Sequence, residues 1–425
     1  MPVGLDFGTT NSSIALAGPN GVQVANFAYS GGVTESFRSL LYLHNLREHG
    51  RSTIKSWSGP AGIDEYLQSD EKGRLVQSLK SFLTSRSLQT TEVFGRRFKL
   101  EELIARILAD IRIGAAHQFG PTAKRVVVGR PVRFVGAESE ADDEYAVGRL
   151  KEALLVAGFK DVSFEYEPVG AAYHYESTLD HDELVMIGDF GGGTSDFSLL
   201  RVGPSLRRSG ATRQVIGNEG VGIAGDSFDA RIIRHLVSPA LGAGSELRSG
   251  RKRLPVPNWV YFKLERWHHL SFLKSADTLN MLKSVAAQAV EPQKIEALLY
   301  LIQHDLGYQL HRAVQRAKIT LSNAERTRFH FSDGDVAIDE ELTRADFEDW
   351  IQEELSDIQD HVDRLLSKTG THPADVDVVF LTGGSSFVPA VRRIFESRFG
   401  PHKIRTGGEF TSVARGLALR AAELG

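Results

Sequence analysis

The sequence contains no cysteine. Disulfides, thiolate nucleophiles and cysteine-ligated zinc are thereby excluded, and a reducing, cytosolic setting is compatible with the chain. It also lacks an excess of cations. Its 50 Lys and Arg against 54 Asp and Glu leave a net charge of −4, which offers no field for steering onto nucleic acid. No apolar run reaches the roughly 18 residues needed to cross a bilayer. Asp6 and its polar neighbours interrupt the N-terminus where a secretion signal needs its apolar stretch. No short-period repeat is present, which argues against solenoids and propellers. The expectation is a cytoplasmic, globular chain without nucleic-acid or membrane partners. At 425 residues, 41% hydrophobic and 24% charged, it is long enough for two or more domains.

Several segments read as strands. Residues 3–7 and 12–17 flank a Gly-Thr turn and predict a hairpin. Residues 124–132, 183–190 and 376–381 are compact apolar runs rich in β-branched side chains, as expected of strands buried on both faces of a sheet covered by helices. Residues 100–118 and 145–157 carry apolar positions at helical spacing, with Gly158 after the second. Thr343 and Asp346 form a capping pattern ahead of one long helix running to Lys368, with Gly370 beyond it. This alternation defines an α/β architecture. Residues 229–312 are mostly helical in pattern, with a break at 242–257 (GAGSELRSGRKRLPVP), and read as an inserted helical subdomain. Within the break, Arg251, Lys252 and Arg253 read as a solvated turn. Residues 259–267 read as aromatic core packing of that subdomain. His268 and His269, beside Trp267, point in different directions on a helix and read as packing or surface residues rather than metal ligands.

The residues that could carry chemistry lie in glycine-rich turns. In GLDFGTTNSS, residues 4–13, Asp6 ends a buried run, where an ionised carboxylate needs a cation or donors to meet it. Gly8 permits a tight turn, and the amides of Gly8 to Thr10 with the hydroxyls of Thr9 and Thr10 suit an anion; a phosphate with Mg²⁺ fits both groups. A plain polar hairpin is the alternative. The chain then nearly repeats itself in IGDFGGGTSD, residues 187–196, where Asp189 ends an apolar run ahead of Gly191, Gly192, Gly193, Thr194 and Asp196. Consecutive glycines are conformationally costly and usually mark close backbone approach or positive φ. Two such loops read as paired half-sites facing one ligand. A third turn, Gly383-Gly384-Ser385, follows another buried strand, where a ligand could lie on the backbone or the chain could simply turn into a helix near Val388 and Pro389. EPVGAA, residues 167–172, sets Glu167 ahead of small residues that allow close helix packing.

In this order these elements resemble the Hsp70 family of actin-like ATPases. GLDFGTTNS and GDFGGGTSD resemble its two phosphate loops, EPVGAA and SVARGLAL (412–419) its two connecting segments, and LTGGSSFVP (381–389) its adenosine loop. GIAGDSFD (222–229), RAKITLS (316–322) and KSFL around Lys80 add further matches, and the whole is similar to short Hsp70-like proteins with only the nucleotide domain. The resemblance implies two duplicated ribonuclease H-like lobes around a nucleotide cleft. Lobe I would cover 1–185 (core 1–38 and 112–185, insertion 39–111). Lobe II would cover 186–408 (core 186–228 and 313–408, insertion 229–312), and a helix at 409–425 would return to lobe I, with no peptide-binding domain. It implies ATP/ADP and Mg²⁺ as cofactors. Asp6 and Asp189 would hold the metal, largely through water. Gly8, Thr9, Thr10, Asn11, Gly191, Gly192, Gly193, Thr194 and Gly225 would face phosphates. Lys80, Glu167, Asp196 and Thr194 would carry catalysis. Lys318, Ser322, Gly383, Gly384 and Ser385 would line the nucleoside pocket.

The pattern also departs from the family. Gln315 stands where a ribose-contacting glutamate is expected, and Lys80 lies in QSLKSFL rather than a lysine-arginine segment. Pro131 matches a proline that relays nucleotide state, but the arginine expected after it has no counterpart, and residues 135–145 form a polar, acidic insertion. The functional expectation is slow Mg²⁺-dependent ATP hydrolysis driving a conformational switch read by a protein partner or client. The alternatives are a nucleotide-sensing or filament-forming module that scarcely hydrolyses ATP, and a small-molecule kinase on the same fold.

Overall fold

Strands of β-branched and aromatic residues organise the computed structural model, which describes residues 2–48, 51–69, 73–120, 125–208, 214–266, 273–407 and 411–424. The first main sheet runs Asp161–Tyr166, Arg125–Arg130, Val3–Phe7, Asn11–Gly18, Gly21–Val24. Its first two pairings are parallel, with Leu5 beside Val128, and the last two antiparallel, with Leu5 opposite Ile14. The expected opening hairpin is therefore present. The second main sheet runs Ile404–Thr406, Val378–Thr382, Glu183–Phe190, Ser195–Val202, Gln214–Val221. It repeats the sequence of pairings: parallel, parallel, antiparallel, antiparallel. Val126, Val127 and Val128 and the whole run Glu183–Phe190 are buried, as near-continuous apolar strands require.

Two compact units divide the chain. One comprises Met1–Gly225, Ser356–Phe387 and Val391–Gly425, and the other Asp226–Leu355 and Val388–Ala390. Both main sheets belong to the first. There the helices Leu100–Phe119 and Glu140–Val156 cover the first sheet through Ile104, Leu108, Ile111, Leu150 and Leu154. The helices Glu167–Glu176 and Ser412–Glu423 bring Val169, Ala172, Val413 and Leu417 into one core with Val127, Val185, Ile187 and Val378. Full burial of each such Val, Leu or Ile side chain contributes about 1.5–3 kcal/mol.

The second unit holds the helices Trp259–Glu265, Ala276–Gln288, Pro292–Gln303 and Gly307–Asn323 and the hairpin Arg326–Asp333/Val336–Thr343. The break in its helical pattern is a short hairpin, Glu246–Ser249 with Lys252–Pro255, turning at Gly250 (φ 60°). Arg251, Lys252 and Arg253 are exposed on it, in keeping with a solvated turn.

Three expectations need correction. The long helix after Thr343 is two helices, Arg344–Trp350 and Gln352–Thr369, interrupted at Ile351, whose φ of −98° and ψ of 13° leave the helical range. The Thr343 cap itself is present, its hydroxyl accepting from the Asp346 amide at 3.1 Å. Much of the acidic insertion is the first turn of a helix that begins at Glu140 rather than 145. Asp142 accepts from the Ser139 amide at 3.2 Å and hydroxyl at 2.8 Å, and carboxylates are favoured at that end of the helix dipole. In the aromatic run Tyr261 is buried, but Trp259 and Phe262 are exposed and are not core. Trp267, His268 and His269 lie outside the described residues.

Candidate functional site

The strand ends of the two main sheets carry the acidic residues. Asp6 is the penultimate residue of Val3–Phe7, opposite Ser13. Asp189 holds the same place in Glu183–Phe190, lying between Asp196 across the antiparallel pair and Thr382 across the parallel one. Directly opposed like charges are unfavourable, so the Asp189–Asp196 register stores a demand for positive charge. Asp189, Asp196 and Glu167 are all buried and Asp6 is half-buried.

Among the described residues, Lys80 answers them. Lys80 sits in a single tight helical turn, Leu79–Phe82, and is buried. Its ammonium donates to Glu167 Oε1 at 2.6 Å. Glu167 opens the helix Glu167–Glu176, and Gly129 makes room for it, since a Cβ there would lie 2.9 Å from Glu167 Cγ. Burial pulls Lys80 toward neutrality, but Glu167, Asp6 and Asp196 together outweigh it and hold the ammonium charged. The carboxyls fare differently. Loss of solvation, reinforced by the Glu167 charge, pushes Asp6 up to about 7 and Asp189 well above the usual carboxylate range. Asp196 also rises to about 7 for those two reasons, although the Thr194 hydroxyl and the Val132 N–H oppose the rise.

These shifts set a sign for stability. Between 3.8 and about 7 the folded state binds more protons on Asp6 and Asp196 than the unfolded chain does, so stability falls as pH rises across that window. The metal-free protein is expected to melt at progressively lower temperature over that range, and Asp196→Asn to flatten the trend. Calorimetric melting of both proteins as a function of pH checks this; parallel curves would show that Asp196 does not contribute.

The two glycine loops meet. Gly191 N–H donates to the Thr194 carbonyl at 3.0 Å, closing the second loop. A Cβ on Gly193 would lie 3.1 Å from Thr9 Oγ1 of the first loop and 3.1 Å from Val135 Cγ2. In the first loop a Cβ on Gly8 would lie 2.2 Å from the Asn11 carbonyl oxygen, so only glycine fits. Thr9 and Thr194 are buried, and among the described residues the buried Thr10 Oγ1 has no hydrogen-bond partner, as a hydroxyl awaiting a ligand would. Asn11 Oδ1 accepts from Arg38 at 3.3 Å. Gly225 N–H donates to the Gly191 carbonyl at 3.4 Å, and Gly192 lies in the same turn. Gly383, with φ 82°, packs so closely that a Cβ would lie 2.1 Å from the Phe190 carbonyl oxygen, which puts the turn Gly384–Phe387, including buried Ser385, beside the second loop. Lys318 and Ser322 belong to the second unit. There Lys318 pairs with buried Asp229 at 2.7 Å, and the Ser322 hydroxyl donates to the Lys318 carbonyl at 3.2 Å.

Other contacts were not foreseen from the sequence. Asp196 Oδ1 accepts from the Val132 N–H at 2.7 Å and the Arg133 N–H at 3.4 Å, tying the segment after Pro131 to the second loop. Arg130, before the proline rather than after it, donates to the Pro131 carbonyl at 3.1 Å and the Val132 carbonyl at 3.3 Å and stacks 4.9 Å from the Tyr166 ring. Arg149, passed over in the sequence, is buried and donates to the carbonyl of Phe82, which closes the turn carrying Lys80. An arginine at helical spacing from Ala146 and Ala153 was the available signal.

The residues present fit a divalent cation, because among the described residues Lys80 pairs with Glu167 while the charge on Asp6, Asp189 and Asp196 is opposed by desolvation and by Glu167. Among the described residues no group of three or more acidic or histidine side chains forms a ready-made cage. Such a site suits Mg²⁺, which keeps several waters and takes one or two carboxylates beside phosphate oxygens.

A mixed α/β chain with paired glycine loops closing on strand-terminal aspartates is consistent with an actin-like ATPase. The family model for the Hsp70 protein matches residues 52–246 and 300–425, and the chain belongs to the Hsp70 family. Among its relatives, the chaperone protein DnaK of Thermosipho melanesiensis is 27% identical over 99% of this chain, and that of Thermosipho africanus 26% identical over 99%. The DnaK of Thermus thermophilus is 27% identical over 78%. The chain spans 59% of the length of the first two of these curated relatives. Among the described residues no helix is long and apolar enough to cross a membrane.

Proposed function

We propose that the chain is a Mg²⁺-dependent ATP-binding protein that hydrolyses ATP slowly and uses the nucleotide state as a conformational switch in a chaperone-related role. The observation that carries this reading is the approach of the two glycine loops at Gly193 and Thr9, beside the buried carboxyls and Lys80. Amides of Gly8 to Asn11 and of Gly192 to Thr194 bind the phosphate chain, with Gly225 alongside and the Gly191 N–H closing the loop. Asp6 and Asp189 hold the metal, which when bound neutralises charge on the phosphate oxygens. Lys80, held by Glu167, stabilises the charge of the transferring phosphoryl group, and Thr194 and Asp196 orient the attacking water. Gly383, Gly384 and Ser385, beside the second loop, bind the nucleoside. The matched order of pairings in the two sheets supports a duplicated, ribonuclease H-like origin. We assign the domains as lobe I over 1–185, lobe II over 186–408 and a returning C-terminal helix.

Titration calorimetry tests the reading. Wild type should bind MgATP with a dissociation constant in or below tens of micromolar, a range corresponding to about −6 kcal/mol or better. Asp6→Asn and Asp189→Asn should each weaken the Mg²⁺-dependent part. No heat with wild type overturns the reading, and loss from only one variant makes the repeated loop architectural. The tight Lys80–Glu167 pair also favours a second reading, in which Glu167 keeps the lysine from the phosphate and the protein binds ATP without turnover. Single-turnover hydrolysis at background level would establish that one.

A further inference from the structure

Arg149 is a costly residue at its position. It lies in the helix Glu140–Val156, only 6% exposed, where a guanidinium needs a countercharge and acceptors for its five N–H groups. Its Nε donates to Glu101, itself buried in the first turn of Leu100–Phe119. Its other nitrogens point at one stretch of backbone. Nη1 donates to the carbonyls of Phe82 at 3.3 Å, Leu83 at 3.4 Å and Ser85 at 3.0 Å, and Nη2 to that of Leu88 at 3.1 Å. These carbonyls end the turn that carries Lys80 and begin the chain after it.

The other side of that turn is strained. Ser78, fully buried, has φ 52°. A non-glycine residue in the left-handed region costs about 1 kcal/mol or more and persists only where its surroundings impose it. A third tie joins the same stretch to the site, because Thr84 Oγ1 donates to the Val135 carbonyl at 2.8 Å and the neighbouring Val132 N–H donates to Asp196. The Lys80 turn is thus bracketed by a strained residue before it and a buried guanidinium after it.

We propose that Arg149 is a positioning residue for Lys80, clamping the carbonyls of 82–88 so that the ammonium is presented toward Glu167 and the phosphate chain. The proposal rests on the MgATP reading for its consequence but not for its test. A displacement of about 1 Å in such a group costs roughly a hundredfold in rate.

The test is acetic anhydride labelling of the metal-free full chain, read lysine by lysine by mass spectrometry. In wild type Lys80 should be protected. Arg149→Gln should raise its labelling about fivefold or more through local opening, with exposed Lys151 and Lys160 unchanged. Single-turnover hydrolysis by the same variant should fall about a hundredfold while ATP affinity stays within about threefold, the split expected of lost positioning rather than lost binding. Arg149→Lys keeps the buried charge beside Glu101 but reaches fewer carbonyls, so it should fall between the two. Lys80 labelling equal to wild type in Arg149→Gln overturns the proposal; if that variant loses cooperative melting, equal labelling in Arg149→Lys does so. Wild type that binds ATP without hydrolysing it defeats the ATPase reading, and the labelling result then decides the positioning role by itself.

Discussion

Lys80→Ala is expected to lower single-turnover ATP hydrolysis by about two to three orders of magnitude, the usual effect of deleting one preorganised charge from a desolvated site. Lys80 is the cation that meets the charges of Glu167, Asp6 and Asp196, and it is 6% exposed. Its removal also affects the fold. Taking one partner from a buried ion pair costs on the order of 3–5 kcal/mol, because the other partner keeps its desolvation penalty. The two effects separate in Lys80→Met combined with Glu167→Gln, which removes both charges at similar volume. That double variant should recover much of the melting temperature without recovering hydrolysis. Recovery of hydrolysis, or a rate in Lys80→Ala within twofold of a wild type that clearly turns over, would remove Lys80 from the catalytic set. Equal background rates in all three would leave the nucleotide-binding module.

Gly416→Ala is expected to abolish cooperative folding. Within an exposed helix, Gly to Ala normally stabilises by about 0.5–1 kcal/mol. Here a Cβ on Gly416 would lie 1.7 Å from the Gly170 carbonyl oxygen, a backbone atom that cannot swing aside. The helices Glu167–Glu176 and Ser412–Glu423 approach with Gly416 against the Gly170 backbone, and the second also lies on the opening strand, where a Cβ on Gly4 would be 2.1 Å from the Ala418 nitrogen. Separating the helices would open the core of Val169, Ala172, Val413 and Leu417. Overpacking a tight core costs about 1–3 kcal/mol even where side chains can yield, and here the backbone must move. The internal control is Gly148→Ala. Gly148 is an exposed position within Glu140–Val156 with nothing within 4 Å of a new Cβ, so it should raise the melting temperature. Thermal melts of both variants check the sign; a Gly416→Ala protein that melts like wild type would contradict the close crossing.

Much of the local structure was legible in the sequence. The hairpin around Gly8, the cap at Thr343 and the strand endings at Asp6 and Asp189 follow from sterics and hydrogen bonds within a few residues. The expected helix to Lys368 failed at Ile351 because periodicity carries through a one-residue break unmarked by Gly or Pro. The acidic stretch before 145 read as an insertion because its low hydrophobicity hid a capped first turn. Trp259 and Phe262 read as core because aromatic content alone does not say which face is buried.

The sequence by itself determined that glycine is obligatory at position 8, where the opening hairpin turns, and which acids stand at strand ends. Each of these depends on the chain's own neighbours. Only the tertiary structure decided that Lys80 meets Glu167, 87 residues away, that Asp189 faces Asp196 in register, that Gly193 lies against Thr9, and that Arg149 clamps the carbonyls beyond Lys80. Those pairings depend on strand register and helix packing. There a shift of one residue would turn the same carboxylates to the other face of the sheet, and no local pattern records the choice.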